Sequence, residues 1–324
     1  MIKAKKITIW ILIITLVLIL GIVGGVYAYG NHLFNKVEKV EINKEDVGIK
    51  EEIKEKLSEY NGNIINIALF GVDTGDGVIG RSDSIMIATI DTTHKKLKLT
   101  SIMRDSYVGI EGHGDDKINH AYAFGGPQLA IKTLNENFDL NIEDFAAVNF
   151  KTLPKIIDKV GGIELDIDSE ELKYINKYIR EINNENGTNA SEITTTGFQH
   201  VNGTQALAYC RIRYTSGGDY RRTERQREVL TEIFKKVESM SATSYPSLLS
   251  DILPMVNTSL GYNEILNLGM DVLKLGDSNL KLERFPLDGY SQGKTINGVY
   301  YLTFDKRATV EQLHNYIFDD KITW

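Results

Sequence analysis

Ile64-Ile-Asn-Ile-Ala-Leu-Phe70-Gly71-Val-Asp73-Thr-Gly-Asp76-Gly-Val-Ile-Gly80-Arg81-Ser-Asp83-Ser-Ile-Met-Ile-Ala-Thr-Ile90 holds two apolar runs joined by a glycine-rich loop. Residues 64–70 and 84–90 read as strands, rich in β-branched and large apolar side chains and bounded by Gly and Asp. Four glycines between positions 71 and 80 let the loop backbone approach a ligand closely. Asp73 leaves the first strand and Asp83 enters the second, so the two loop ends can lie side by side. Paired carboxylates of this kind suit a hard cation such as Mg²⁺, which takes one or two carboxylates and fills its shell with phosphate and water oxygens. The bland alternative is a polar turn that satisfies its own backbone, and this segment alone does not decide between them. It is not a Walker loop, because it lacks the Gly-Lys-Ser/Thr ending.

Working outward, residues 96–102, 146–150, 162–167, 208–213 and 280–285 also read as strands. Helices are expected over 127–138, 151–160, 170–182, 220–237 and 262–273. Pro127 stands at the start of the first, where its missing N–H costs nothing. Strands and helices interleave, so the expected fold class is α/β, a central mixed sheet with helices packed on both faces. Residues 183–196 are polar and form a surface loop.

The arginines are unevenly placed. The chain has 11 arginines among its 37 basic residues, and six of the 11 fall between Arg211 and Arg227. Lysine is the commoner base here, so the choice of arginine points to its planar fork of donors, which grips phosphate oxygens two at a time. Read as a strand, Tyr209-Cys-Arg211-Ile-Arg213 puts Tyr209, Arg211 and Arg213 on one face and Cys210 and Ile212 in the core. On the following helix Arg222, Arg225 and Gln226 share a face. A solvated helix face paired with Glu224 and Glu228 absorbs Arg221 but not the expected strand pair. Ser101-Ile-Met-Arg104-Asp105 ends another strand in an Arg-Asp pair, and Lys117-Ile-Asn119-His120-Ala-Tyr122 mixes polar and aromatic residues in a loop.

Composition narrows the function classes. The chain has 324 residues, 42% hydrophobic and 25% charged, an ordinary globular balance. A net charge of −7 argues against nucleic acid as a partner. The single cysteine, Cys210, excludes an internal disulfide, and the six histidines show no zinc-binding spacing. Residues 7–30 carry no charge and follow Lys3, Lys5 and Lys6. That length spans a hydrocarbon core, and the lysines hold the N-terminus inside. A cleaved signal peptide, with Val26-Tyr27-Ala28 as its cleavage pattern, is the competing reading, but such apolar cores are shorter. The expected organisation is a cytoplasmic N-terminus and membrane anchor over 1–30, an extracytoplasmic stalk over 31–60, and one domain over 61–324.

Taken in order, these segments resemble the LytR–CpsA–Psr family of cell-envelope phosphotransferases. The matching pieces are Gly71 to Asp73, Arg81-Ser-Asp83, Ser101 to Asp105, Lys117 to Gly126, Asp158 to Ile163, Val201 to Arg213, and Asp219 to Gln226. Two departures stand out. Met103 occupies a place where the family often has proline, and Val108 and Gly109 stand where a basic residue is common. The resemblance implies a donor consisting of an anionic glycopolymer (teichoic acid, capsular or other wall polysaccharide) on polyprenyl pyrophosphate, its lipid tail in an apolar tunnel. It implies peptidoglycan as acceptor, and Mg²⁺, or Mn²⁺ in its place, on Asp73 and Asp83. Arg81, Arg104, Arg211, Arg213, Arg222 and Gln226 would clamp the pyrophosphate with support from Arg225. Arg81, Arg104, Asp73 and Asp83 would act in catalysis, and no general base is evident. The rival functions are a pyrophosphatase acting on the same carrier and a membrane-bound transcriptional regulator.

Overall fold

The computed structural model describes residues 39–60, 63–73, 80–275 and 280–322. The expected anchor at 7–30 and Asp76 lie outside the described residues. In chain order, helix α1 (Glu51–Ser58) precedes strands β1 (Ile64–Asp73), β2 (Arg81–Asp91), β3 (Lys96–Ile102), β4 (Tyr107–Ile110) and β5 (Gly114–Lys117). Helix α2 (His120–Phe138), β6 (Asp144–Asn149), α3 (Leu153–Lys159), β7 (Ile163–Ile167) and α4 (Ser169–Asn186) follow. Then come β8 (Gly197–Val201), α5 (Gly203–Arg211), α6 (Gly218–Glu238), α7 (Tyr245–Ile252), β9 (Asn257–Thr258) and α8 (Tyr262–Leu275). The chain closes with β10 (Leu280–Phe285), β11 (Ser291–Ile296), β12 (Val299–Phe304) and α9 (Lys306–Ile317).

The central sheet has six strands in the order β10-β3-β2-β1-β6-β9. It is mixed: β1 runs antiparallel to β2 and parallel to β6, and β10 runs parallel to β3. Strand parity sorts its two faces. Ala68, Phe70 and Val72 join Ile85, Ile87 and Ile102 in a filled core with residues of α1, α2 and α9. The residues between them, Ile67, Leu69, Met86, Ala88 and Leu99, face α6 and α8, where packing leaves apolar cavities. Helices therefore cover both faces, as expected, but only one face is solid. A second core forms around the antiparallel β7–β8 pair, where Ile163 and Leu165 pack with Ile175 and Ile179 of α4, Leu207 of α5 and Val229 of α6.

Three sequence expectations need correction. Residues 208–213 are not a strand: α5 runs through Arg211, and the chain turns extended at Ile212. Asn202 and Gln205 cap it reciprocally, each side chain accepting from the other's backbone N–H. Gly203 to Cys210 are all buried, so the helix has no polar face to reveal its period. The stretch at 39–60, expected as a solvated stalk, instead packs Val47, Ile53 and Leu57 into the main core. Its charged residues face water and mask the apolar positions that anchor it. Finally, α2 begins before Pro127, with a turn from His120 that breaks at the non-helical Gly125 and Gly126.

Candidate active site

A shift in register between Gly71 and Val72 sets Asp73 opposite Arg81, so β1 and β2 deliver both to one end of the sheet. Asp83, two residues into β2 from Arg81, is nearly buried. Its Oδ1 accepts from Arg104 Nη1 at 2.8 Å and from Asn119 Nδ2 at 3.2 Å. Its Oδ2 lies 4.0 Å from Arg213 Nη2. Burial alone would raise this carboxyl, but Arg104 by charge and hydrogen bond, then Arg222 and Arg81 by charge, hold it below the usual carboxylate range. The site extends through Asp219, whose Oδ1 lies 2.7 Å from Arg222 Nη2 and 3.7 Å from Arg104 Nη2.

Arg222 is the most unusual group. It is only 3% exposed, yet its Nε and Nη1 are buried without a hydrogen-bond partner, as is Arg104 Nε. Burial pushes the Arg222 guanidinium down to about 10; Asp219 opposes this, while Arg104 and Arg213 reinforce it. Buried donors left unpaired cost free energy, so the protein itself does not complete this site. An oxygen-rich anion would supply the missing acceptors.

These groups open into a polar cavity of about 490 Å³ lined by Asp73, Asp83, Arg211, Arg213, Arg222 and Gln226, among others. Phe150, Cys210 and Gln226 also line an adjoining apolar cavity of about 140 Å³ beneath α6. Leu69, Ala146 and Leu230 in turn line both that cavity and a third, apolar one of about 360 Å³ between the sheet, α6 and α8. A charged pocket thus leads into two apolar compartments in series. Burial pushes the Cys210 thiol up to about 12, so it is a neutral wall group rather than a nucleophile.

Of the residues singled out in the sequence, Asp73, Asp83, Arg211, Arg213, Arg222 and Gln226 meet in the polar cavity, with Arg104 bonded to Asp83 and the exposed Arg81 paired opposite Asp73. Arg211 and Arg213 do so because a helix ends between them, not because they share a strand face. Arg211 pairs with Glu185 at 2.8 Å and lies over the Phe150 ring. Tyr209 points away, its hydroxyl donating to Glu228. Arg225 is fully buried and committed elsewhere: it donates to Glu171, the Ile212 carbonyl and Thr215. Arg221 pairs with Glu224 and Glu228 as expected, but it is only partly exposed, because it also bonds the buried Glu171 and the Tyr209 hydroxyl. Sequence reasoning gave no role to Asn119 or Asp219; the available signal was Asp219 standing one helical turn before Arg222.

The donor set fits a hard divalent cation. Asp73 and Asp83 line one cavity, and Asn119, which donates to Asp83, keeps a buried Oδ1 without a partner. Among the described residues no three or more His, Cys, Asp or Glu side chains form a cage.

The LytR_cpsA_psr family model matches residues 31–316. A relative from Enterococcus faecalis, the polyisoprenyl-teichoic acid–peptidoglycan teichoic acid transferase TagU, is 33% identical over 311 residues, covering 94% of each chain. The solved structure of TagT bound to LI-WTA is 25% identical with a TM-score of 0.65, covering 87% of this chain and 98% of that one. TagT with bound octaprenyl pyrophosphate lipid is 25% identical with a TM-score of 0.62, covering 86% and 99%. With a mixed sheet covered on both faces, the motifs gathered at one end of it and a family match over nearly its whole length, the chain belongs to the LytR–CpsA–Psr family.

Proposed function

We propose that this protein transfers an anionic glycopolymer from a polyprenyl-pyrophosphate carrier to a peptidoglycan hydroxyl. The observation that carries the proposal is the buried, under-bonded Arg222 in a polar cavity that adjoins two apolar cavities in series. Such a site matches a molecule with a pyrophosphate at one end and a long apolar tail at the other. Teichoic acid is the polymer suggested by the relatives.

In this reading Arg104, Arg211, Arg213, Arg222 and Gln226 hold the pyrophosphate, and Arg81 supports them from the start of β2. The prenyl chain runs from Phe150 and Cys210 toward α8. The acceptor hydroxyl attacks the phosphorus nearer the glycan, the phosphoanhydride bond breaks, and polyprenyl phosphate leaves with the bridging oxygen, the hydroxyl proton passing to the departing phosphate or to water. A fixed array of guanidiniums needs no reorganisation as charge develops on that leaving group. Asp83 is a poor proton acceptor because its pKa is depressed, so it acts as a standing negative charge. Asp73 and Asp83 would hold Mg²⁺, or Mn²⁺, which when bound neutralises phosphate charge. The uncharged segment at 7–30 after Lys3, Lys5 and Lys6 would anchor the protein N-terminus inside, keeping the domain beside both substrates outside the cytoplasm.

The deciding experiment follows labelled donor in the presence of peptidoglycan. Label on peptidoglycan supports transfer; label only in soluble phosphate products means a pyrophosphatase. If neither appears and the domain binds DNA at physiological salt, the regulatory reading stands. Removing divalent cations should abolish transfer, and added Mg²⁺ should restore it.

A further inference from the structure

The β11–β12 hairpin is tied to the edge of this site. Leu302 N–H donates to the Asp105 carbonyl at 2.8 Å, and Ser106 bridges to the same residue. Asp105 lies 3.9 Å from Arg104 Nε, and Arg104 bonds Asp83. On the hairpin, Tyr300 is 50% exposed. A Cβ on Gly293 of the facing strand would stand 2.7 Å from the Tyr300 ring. The ring therefore lies down across the glycine, and the missing side chain is what lets it.

Polar groups surround the ring. Lys117 Nζ stands over the ring, 5.9 Å from its centroid, far enough for a sugar to displace it, and is held 2.8 Å from Asp105 Oδ1. The Tyr220 hydroxyl is 3.3 Å from Ser291 Oγ, and the Arg284 guanidinium stacks on Tyr220 at 4.2 Å. A half-exposed aromatic face with hydrogen-bonding groups at its rim suits a pyranose, whose C–H face is apolar and whose hydroxyls point outward. Position and charge choose between donor and acceptor sugars. Along the sheet, Phe150 at the lipid side follows β6 whereas Asp105 follows β3, so Asp83 on β2 stands between lipid and hairpin. Lys117 is neutralised by Asp105, Asp116 lies beside Tyr301, and Lys294, paired across the hairpin with Tyr301, projects from the opposite face to Tyr300. This is poor ground for a polyanion and good ground for an uncharged sugar.

Resting on the proposed transfer reaction, we infer that Tyr300, laid over Gly293, is the stacking platform for an uncharged pyranose ring of the peptidoglycan acceptor strand. Transfer rates measured against acceptor concentration test this. Tyr300→Ala should raise the acceptor KM about tenfold, equivalent to about 1.4 kcal/mol. At saturating acceptor, kcat should stay within about twofold, and the donor KM should not move. Tyr300→Phe keeps the ring and should behave as wild type, whereas Gly293→Val, which lifts the ring, should shift the acceptor KM in the direction of Tyr300→Ala. Calorimetric binding of undecorated, peptide-free glycan strands to the full chain without donor should weaken with Tyr300→Ala. An unchanged acceptor KM, or a change in the donor KM alone, overturns the inference. If the wild type binds strands through Tyr300 yet transfers nothing, the proposed reaction fails and the glycan platform stands.

Discussion

Arg222 places a guanidinium where the fold leaves two of its donor atoms without partners. Its burial cost is present while it is charged and is relieved as the pH rises through about 10. Binding of inorganic pyrophosphate should accordingly weaken above that pH, as titration calorimetry across the range can check. Arg222→Met should abolish transfer while leaving the melting temperature level or higher, since a buried, poorly compensated charge is removed. A fall of more than about 4 °C would instead mark Arg222 as a structural ion-pair residue. Asp83 titrates in the opposite sense. Its folded pKa is depressed, so its stabilising contribution is present above the ordinary carboxylate pKa and is lost as the pH falls through the lower folded value. Acid unfolding followed by circular dichroism should show a steeper acid limb for wild type than for Asp83→Asn. Arg213→Lys keeps the charge near Asp83 but loses the fork. The transfer rate should fall about 30- to 1000-fold, the effect of losing one preorganised donor worth about 2–4 kcal/mol.

Two helix starts govern the elements that carry these groups. Asp168 and Glu171 form a capping box at α4, and Glu171, fully buried, also accepts from Arg225 Nε and Arg221 Nη2. One side chain thus fixes a helix start and pins α6, which carries Arg222, against α4. Glu171→Gln should destabilise the protein by about 3–5 kcal/mol by leaving Arg225 buried without a counter-charge, and the urea midpoint would register it. At α5, Gly203 packs so closely on α3 that a Cβ would come within 1.9 Å of the Pro154 carbonyl oxygen. Gly203→Ala should cost about 1–3 kcal/mol or more and displace Arg211 at the far end of the helix, which lipid-binding measurements would detect. The sequence around α5 misleads for a physical reason. A short run of alternating residues fits a strand as well as a buried helix, and only the Asn202–Gln205 cap favours the helix.

Across the molecule, the unfilled sheet face joins the charged end to the apolar one. Ala146 and Leu230 stand where the two apolar cavities meet. Leu230→Trp should block that junction, weakening binding of a long prenyl pyrophosphate while sparing a short-chain analogue that ends in the first cavity. Equal losses for both lipids would mean that the tail takes another route. The anchor belongs to this scale too. Protease added to intact spheroplasts should digest the domain, and protection until lysis would reverse the proposed orientation.

The sequence by itself determined five of the six strands that build the sheet, all but β9, together with the α/β class and the family, because apolar runs, glycine positions and motif order are local properties of the chain. It also marked Asp73, Asp83, Arg104 and most of the arginine cluster as chemically unusual. It did not separate Arg222 from Arg225, one helical turn apart and identical in type. Their difference lies in what each meets: Glu171, the Ile212 carbonyl and Thr215 for Arg225, against two empty donor positions at a cavity for Arg222. Nor did it show that charges over 39–60 conceal buried anchors, or that one sheet face stays hollow. Partnership and empty space depend on elements far apart in the chain, and only the folded arrangement brings them together.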